Sequence, residues 1–240
     1  DLGFGVLQEF ERQLPNQFLN VGVAEQNMTS IAAGLALEGH VVFTYSIANF
    51  PTLRCLEQFR NDVCYHNLNV NIVSVGGGFS YGALGGSHHA CEDIPIFRTM
   101  PNVLPIVPSD NEEVRQAPSL LVRTPGPGFL RLDKTTPGNI LTSASKLQIG
   151  TMNVFGEGNH ITLVAAGGIM KQVLAASTKL RKHGISCRVL SMPTPAHVDQ
   201  EAIQKAVNET SGIITIEESS IVGGIGSAIA EYCLENHIIP

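Results

Sequence analysis

The sequence lacks tryptophan, long apolar runs and clusters of basic residues, and it has few charges for its length. Charged residues make up 15% of the 240 residues, against 43% hydrophobic residues. No apolar stretch reaches the roughly 20 residues of a membrane-spanning helix, so we expect no membrane partner. The net charge of −6 without a Lys/Arg cluster argues against nucleic-acid binding, which requires phosphates to be neutralised. So low a proportion of charged residues indicates a substantial core and some surface that is covered by something else.

The five cysteines form no Cys-x-x-Cys pair and are odd in number. This pattern argues against a zinc site and against a disulfide framework. Scattered single thiols are typical of a reducing compartment, so we expect a cytoplasmic protein with buried thiols. Nucleotide-binding loops are missing too, because no lysine follows a glycine as in a P-loop and no glycine run fits Gly-x-Gly-x-x-Gly between a strand and a helix.

Apolar strand-like runs alternate with helix-length amphipathic segments, which is typical of parallel α/β layers. We predict two α/β domains with parallel sheets, residues 1–135 and the smaller 159–240. Residues 136–158 are predicted to be a linker, because this stretch has glycines and proline but no clear period. Predicted strands cover residues 41–45, 70–75, 103–107, 129–132, 161–165, 187–190 and 213–216. Predicted helices cover residues 25–38, 53–65, 170–183, 199–207 and 224–235, and another begins at the capping-box pattern of residues 109–112.

Glu25 stands in the first turn of the first predicted helix, directly after a glycine-bearing turn. The helix dipole favours a carboxylate there, whereas Val23, Ala24 and Met28 would desolvate it. On residue type alone, the better interpretation is a stabilising first-turn glutamate. The surrounding sequence changes that balance.

Five phrases follow one another between Phe18 and Asp110. They are residues 20–28 (Asn-Val-Gly-Val-Ala-Glu-Gln-Asn-Met), 33–39 (Ala-Gly-Leu-Ala-Leu-Glu-Gly), 54–62 (Arg-Cys-Leu-Glu-Gln-Phe-Arg-Asn-Asp), 85–89 (Gly-Gly-Ser-His-His) and 100–103 (Met-Pro-Asn-Val). Together they resemble the pyrimidine-binding domain of the transketolase family, and in particular the small subunit of transketolases split over two chains. Residues from about 159 resemble the family's C-terminal domain through 191–193, 217–218 and 223–227. The resemblance implies a thiamin-diphosphate enzyme that reversibly moves a two-carbon ketol group from a ketose to an aldose.

The resemblance also implies roles for particular residues. Glu25 would bond ring nitrogen N1′ of the cofactor's aminopyrimidine and favour the imino tautomer that acts as a base. Phe50 would be the apolar platform under that ring, with Tyr45 as the alternative. Arg54 matches an arginine near the pyrimidine, and an ion pair with Glu57 or Glu38 is an equally good interpretation.

Ser87 and His88 lie in a glycine-rich loop, and the resemblance implies that both contact the substrate. By resemblance, His88 reaches the hydroxyl groups of the donor sugar, whereas His89 stands where transketolases more often have Gln and its role stays open. Gly76 and Leu84 stand where sugar-phosphate transketolases place a His and an Asp. These two departures put ordinary pentose-phosphate specificity in doubt and leave open whether the substrates are sugars or sugar phosphates.

The chain has no Gly-Asp-Gly, the motif with which this class holds Mg²⁺ and the diphosphate. We therefore expect no metal ligand in this chain. The resemblance implies a larger partner subunit that carries the motif, and an α2β2 assembly. The alternatives are a 1-deoxyxylulose-5-phosphate synthase, the β chain of a 2-oxoacid dehydrogenase, a non-catalytic assembly subunit and a Rossmann-like binding module.

Overall fold

The computed structural model describes residues 5–134, 138–141 and 145–239, which fold into two α/β units. Each unit is built on a four-stranded sheet. Residues 1–4, 135 and 240 at the ends of the predicted domains, and residues 136, 137 and 142–144 of the predicted linker, lie outside the described residues. Within the described ranges, no helix has both the length and the apolar character needed to cross a bilayer.

The first unit has a wholly parallel sheet in the order β1-β2-β4-β3. Its strands are β1 Val42–Ile47, β2 Val70–Val75, β3 Leu104–Ile106 and β4 Gly128–Leu132. Its helices are α1 Gln8–Gln13, α2 Glu25–Leu37, α3 Leu56–Gln58, α4 Asp93–Thr99 and α5 Asn111–Arg123. The parallel strands bury apolar residues on both faces, Ile72 and Phe129 on one and Ile106 and Leu130 on the other, as such sheets require.

The second unit has the strand order β5-β7-β6-β8. Its strands are β5 Asn153–Gly156, β6 Ile161–Ala165, β7 Cys187–Ser191 and β8 Ile213–Ile216, and its helices are α6 Met170–Lys182, α7 Gln200–Glu209 and α8 Ile225–Glu235. The strands β6, β7 and β8 are parallel, whereas β5 runs antiparallel to β7 at the sheet edge.

The sequence interpretation is wrong at several elements. Residues 153–156 form β5 although they lie in the predicted linker, because an edge strand needs only one partner and shows little periodicity. The predicted helix 53–65 is divided into a 3₁₀ turn Leu53–Cys55, the short α3 and a π-helical turn Phe59–Cys64. Leu53, expected to be buried, is 39% exposed, and α1 and α4 were not predicted.

The two units share one apolar cluster. Ile94 and Val107 of the first unit pack with Val164, Leu190 and Ile225 of the second. The first unit precedes residues 138–141 and 145–152, and the second unit follows them. Because the cluster contains residues of both units, the second unit is packed directly on the first.

Candidate active site

The candidate site lies at the carboxyl edge of the first sheet, beside β1 and β2. The turn after β1 contains Phe50, and the loop after β2 starts at Gly76 and carries His88. The helix α2 precedes β1 through a short connection, so its first residue, Glu25, lies at the same edge. Crevices at the carboxyl ends of parallel strands are the usual ligand sites of α/β sheets.

Glu25 is buried, with 4% of its surface exposed. Arg54 Nη1 donates to both of its carboxylate oxygens, at 3.0 and 3.1 Å. The Arg54 side chain is 47% exposed, so the cation reaches the buried carboxylate from the solvent side. The structure therefore pairs Arg54 with Glu25, not with Glu57 or Glu38.

Phe50 contacts both Arg54 of this ion pair and His88 of the loop after β2. The Arg54 guanidinium carbon lies over the Phe50 ring, 4.5 Å from its centroid. The His88 ring meets the Phe50 ring edge-on, with centroids 5.3 Å apart. Tyr45 lies in β1, where burial first and the neighbouring Tyr81 second raise the pKa of its phenol.

The two neighbouring histidines have different surroundings. Ser87 Oγ lies 3.0 Å from His88 Nδ1, which leaves Nε2 of His88 for other contacts. His89 instead places Nε2 3.2 Å from the carbonyl of Gly82 and its ring against Phe79. The structure thus brings Glu25, Phe50, Arg54, Ser87 and His88 together.

Tyr81 occupies the space beside Gly76. A Cβ atom at position 76 would lie 2.0 Å from Tyr81 Cε2, and Gly76 has a φ of +100° that favours glycine. The Tyr81 ring also lies edge-on to His88, with centroids 6.1 Å apart. The other departure, Leu84, is 55% exposed in the same loop.

Two residues of the site were not predicted from the sequence. Asn49 donates from its amide to the backbone carbonyls of Ser87 and His89, and Tyr81 lies over Gly76. The sequence holds no signal for Asn49, since its contact lies about forty residues away in the chain. The sequence showed Gly76 as a departure from the family pattern, but it did not predict which side chain would fill the space beside this glycine.

A buried ionic cluster supports the base of the loop after β2. The Arg131 guanidinium is fully buried and bonds Asp93 at 3.1 Å, Asp133 at 3.4 Å and the carbonyl of Glu218 at 3.0 Å. Burial raises the pKa of Asp93 to about 6, against the opposing effect of Arg131. A Cβ at Gly77 would fall 1.8 Å from Arg131 Nε, so the loop backbone lies directly on this cluster.

The described residues contain no group of three or more His, Cys, Asp or Glu side chains arranged to hold a metal ion. The thiols Cys55, Cys64, Cys187 and Cys233 are buried, whereas Cys91, also expected to be buried, is only half-buried. All five are unpaired.

Comparison with known proteins decides the family. Residues 1–138 match the model "Transketolase, pyrimidine binding domain" and residues 150–239 match "Transketolase, C-terminal domain". The chain belongs to the transketolase family. The order of domains predicted from the sequence is confirmed.

Relatives of this transketolase-family chain include proteins named as subunits of transketolases. It is 38% identical over 237 residues to a protein of Phocaeicola vulgatus that is named as one subunit of an apulose-4-phosphate transketolase, covering 98% of this chain and 76% of the relative. It is 33% identical over 234 residues to 6-deoxy-6-sulfo-D-fructose transketolase subunit SqwH of Clostridium sp. (strain MSTE9), covering 98% and 73%. The resemblance to the small subunit of a split transketolase is therefore confirmed.

A solved structure described as "Split gene transketolase, inactive beta4 tetramer" superposes with a TM-score of 0.89. It is 33% identical, and the match covers all of this chain and 78% of the solved chain. Synthases of 1-deoxy-D-xylulose 5-phosphate also match, but this transketolase-family chain spans only about a third of their length. The synthase alternative is thus the weaker one.

Proposed function

We propose that this chain is the cofactor-activating small subunit of a thiamin-diphosphate-dependent transketolase. The enzyme transfers a two-carbon ketol group reversibly from a ketose to an aldose. The observation that carries the proposal is that one planar group, the Arg54 guanidinium, bonds the buried carboxylate of Glu25 and lies over the ring of Phe50.

The contacts of Arg54 support the fit of an aminopyrimidine. Its guanidinium is flat and carries N–H donors, and it both bonds Glu25 and stacks over Phe50. An aminopyrimidine is also flat and also offers ring nitrogens and an amino group. Each carboxylate oxygen of Glu25 keeps a second lone pair beside the bond from Arg54, so it has capacity for a further partner.

Each residue of the site has a defined task in this proposal. Glu25 would hold the pyrimidine ring nitrogen through a hydrogen bond, which the burial of its carboxylate would strengthen. Phe50 supports the ring, and Arg54 holds the carboxylate in place. When bound, thiamin diphosphate supplies the carbon nucleophile that takes up the ketol group. His88, with Nδ1 engaged by Ser87, offers Nε2 to a hydroxyl of the donor.

Replacement of Glu25 tests the proposal. In the complex reconstituted with the large subunit, we expect Glu25→Ala to remove ketol transfer, with a loss above the roughly 10²–10⁴-fold typical of one acid–base group. The matched control is Glu201→Ala, since Glu201 is also a first-turn glutamate, on α7, but is exposed. Circular dichroism checks that both variants fold. Near-normal turnover of Glu25→Ala would refute the assignment.

We further propose that a larger partner subunit holds the diphosphate and Mg²⁺ in an α2β2 complex in the cytoplasm. Support comes from the missing Gly-Asp-Gly and from relatives that are themselves named as subunits. The isolated chain should therefore bind thiamin diphosphate weakly, while the mixture with the partner binds it tightly in the presence of Mg²⁺. Calorimetric titration of both samples decides this, and tight binding by the isolated chain would contradict the split site.

The donor is proposed to be a ketose other than the ordinary pentose phosphates. The Tyr81 ring fills the space beside Gly76, and Leu84 offers no polar group to a hydroxyl. The two relatives described above act on apulose 4-phosphate and on 6-deoxy-6-sulfo-D-fructose according to their names, which fits a family with varied donors.

A further inference from the structure

The turn between β1 and Phe50 is tied firmly to the core. Ala48 is fully buried and has a φ of +32°. Its N–H donates to the carbonyl of Val75 at 2.8 Å, and its carbonyl accepts from Ser74 Oγ at 3.0 Å and Thr52 Oγ1 at 2.9 Å. The next residue, Asn49, therefore starts from a fixed backbone.

Asn49 extends from this fixed turn to the loop that carries His88. Its side-chain nitrogen donates to the carbonyl of Ser87, at 3.3 Å, and to the carbonyl of His89. The two accepting carbonyls belong to the residues immediately before and immediately after His88. One amide group thus holds the backbone on both sides of the histidine.

These two hydrogen bonds from Asn49 matter because the loop around His88 is glycine-rich and largely exposed. Gly82, Gly86 and Ser87 are exposed, and Gly85 has a φ of +77°. The His88 N–H bonds the carbonyl of Gly85 at 2.9 Å, which closes the turn locally but does not attach it to the sheet. Asn49 supplies an attachment to the same turn that presents Phe50.

We propose that Asn49 is a positioning residue, which holds His88 against Phe50 by bonding the carbonyls on both sides of it. Its effect on donor use rests on the proposed function. The side-chain bonds of Asn49 reach neither Glu25 nor Arg54. The Arg54 N–H donates to the Asn49 carbonyl at 3.2 Å, but this backbone bond survives a change of side chain, so replacing the side chain should affect the donor site and leave the cofactor site intact.

The test compares Asn49→Asp with Asn49→Ala. Aspartate keeps the volume but replaces the donor nitrogen by an oxygen that repels both carbonyls, whereas alanine only removes the bonds. A residue that merely fills space would tolerate aspartate better, so a positioning role predicts that aspartate is the more harmful change. The control is Asn61→Asp, which adds the same charge at an exposed asparagine whose Oδ1 accepts from Arg60 and can still do so.

Two measurements are made. Amide hydrogen exchange on the full chain should show the His88 N–H exchanging about tenfold faster in Asn49→Asp, the size expected for losing one or two hydrogen bonds. In the reconstituted complex, the KM for the donor ketose should rise by about tenfold, with Kd for thiamin diphosphate unchanged. Asn61→Asp should match the unmodified protein in both.

The outcomes separate this proposal from the proposed function. Unchanged exchange in Asn49→Asp, or a milder effect of aspartate than of alanine, would overturn the positioning role. So would an unchanged donor KM in a complex that transfers ketol groups. If the unmodified complex shows no ketol transfer, the proposed function fails, and the exchange result alone then decides whether Asn49 holds the turn.

Discussion

Single residues decide the chemistry that the site offers. Glu25 and Glu201 both stand in the first turn of a helix, α2 and α7, yet Glu25 is buried and Glu201 is exposed. The phrase around Glu25 indicated this difference through the family resemblance, whereas residue type alone favoured a structural role. Arg54 bonds the buried carboxylate and also lies over the ring of Phe50.

Gly76 provides a prediction at this scale. Gly76→Ala should destabilise the protein by about 1–3 kcal/mol, because alanine is strained at a φ of +100° and its Cβ would overlap the Tyr81 ring. The displaced ring should lose its contact with His88 and raise the donor KM. Thermal denaturation and donor titration measure the two effects.

The control for Gly76 lies in the same loop. A Cβ at Gly82 would meet nothing within 4 Å, so Gly82→Ala should be close to neutral. In a Tyr81→Ala background the cost of Gly76→Ala should shrink, since the overlapping ring is gone. An equal cost in both backgrounds would show that Tyr81 is not responsible.

At the scale of elements, the bounds of helices and strands were predicted best where apolar residues or capping residues follow a regular pattern. The strands β2 and β6 have the predicted bounds, because mostly buried parallel strands are nearly continuous apolar runs. The strand β8 also has the predicted bounds, although it is only half-buried. The helix α5 starts within the predicted capping pattern of residues 109–112, but its cap is Asp110, one residue later than Ser109, and accepts from the Glu113 N–H at 2.9 Å. Gly184, with a φ of +80°, follows the end of α6 as predicted.

The elements that were missed have no such regularity. The segment 53–64 changes from 3₁₀ to α to π turns within twelve residues, because it carries Arg54 toward the site while burying Phe59 and Val63. The strand β5 is short and half-exposed, and it is held by its pairing with β7. Pairing with a distant strand leaves no local pattern in the sequence.

At the scale of the whole molecule, a buried carboxyl group joins the two units. Glu113 Oε2 accepts from the N–H of Ser109 at 2.6 Å and from Ser191 Oγ at 3.2 Å, and Oε1 accepts from Asn153 Nδ2 at 2.9 Å. Ser191 and Asn153 belong to the second unit, on β7 and β5. Burial raises the pKa of Glu113 to about 7, in spite of these donors, which lower it.

The raised pKa of Glu113 predicts a pH dependence of stability. Below about pH 4.5 the carboxyl is neutral in both the folded and the unfolded chain, and between 4.5 and about 7 only the folded chain keeps the proton. Its contribution to stability is therefore present at low pH and is lost as the pH rises to about 7. Above that, the buried charge costs about 3 kcal/mol at most.

Glu113→Gln removes this titration. The introduced glutamine would be accommodated if the Asn153 amide turns its oxygen toward it, so the variant should fold. Thermal denaturation between pH 5 and 8 should show the melting temperature of the unmodified chain falling relative to Glu113→Gln as the pH rises. Asp93, whose pKa is also raised, is present in both proteins and cancels in the difference. Parallel curves would contradict the prediction.

The sequence by itself determined the alternating α/β pattern, the family, and five residues that meet at one sheet edge. These follow from local periodicity and from short sequence motifs in a fixed order, and both are features of consecutive residues. Only the tertiary structure decided that Arg54 pairs with Glu25, that Tyr81 lies over Gly76, that Asn49 holds the His88 turn and that Glu113 joins the two units. Except for Tyr81 and Gly76, which lie in the same loop, each of these is a contact between segments far apart in the chain. Such contacts depend on how buried polar groups are satisfied once the sheets have packed.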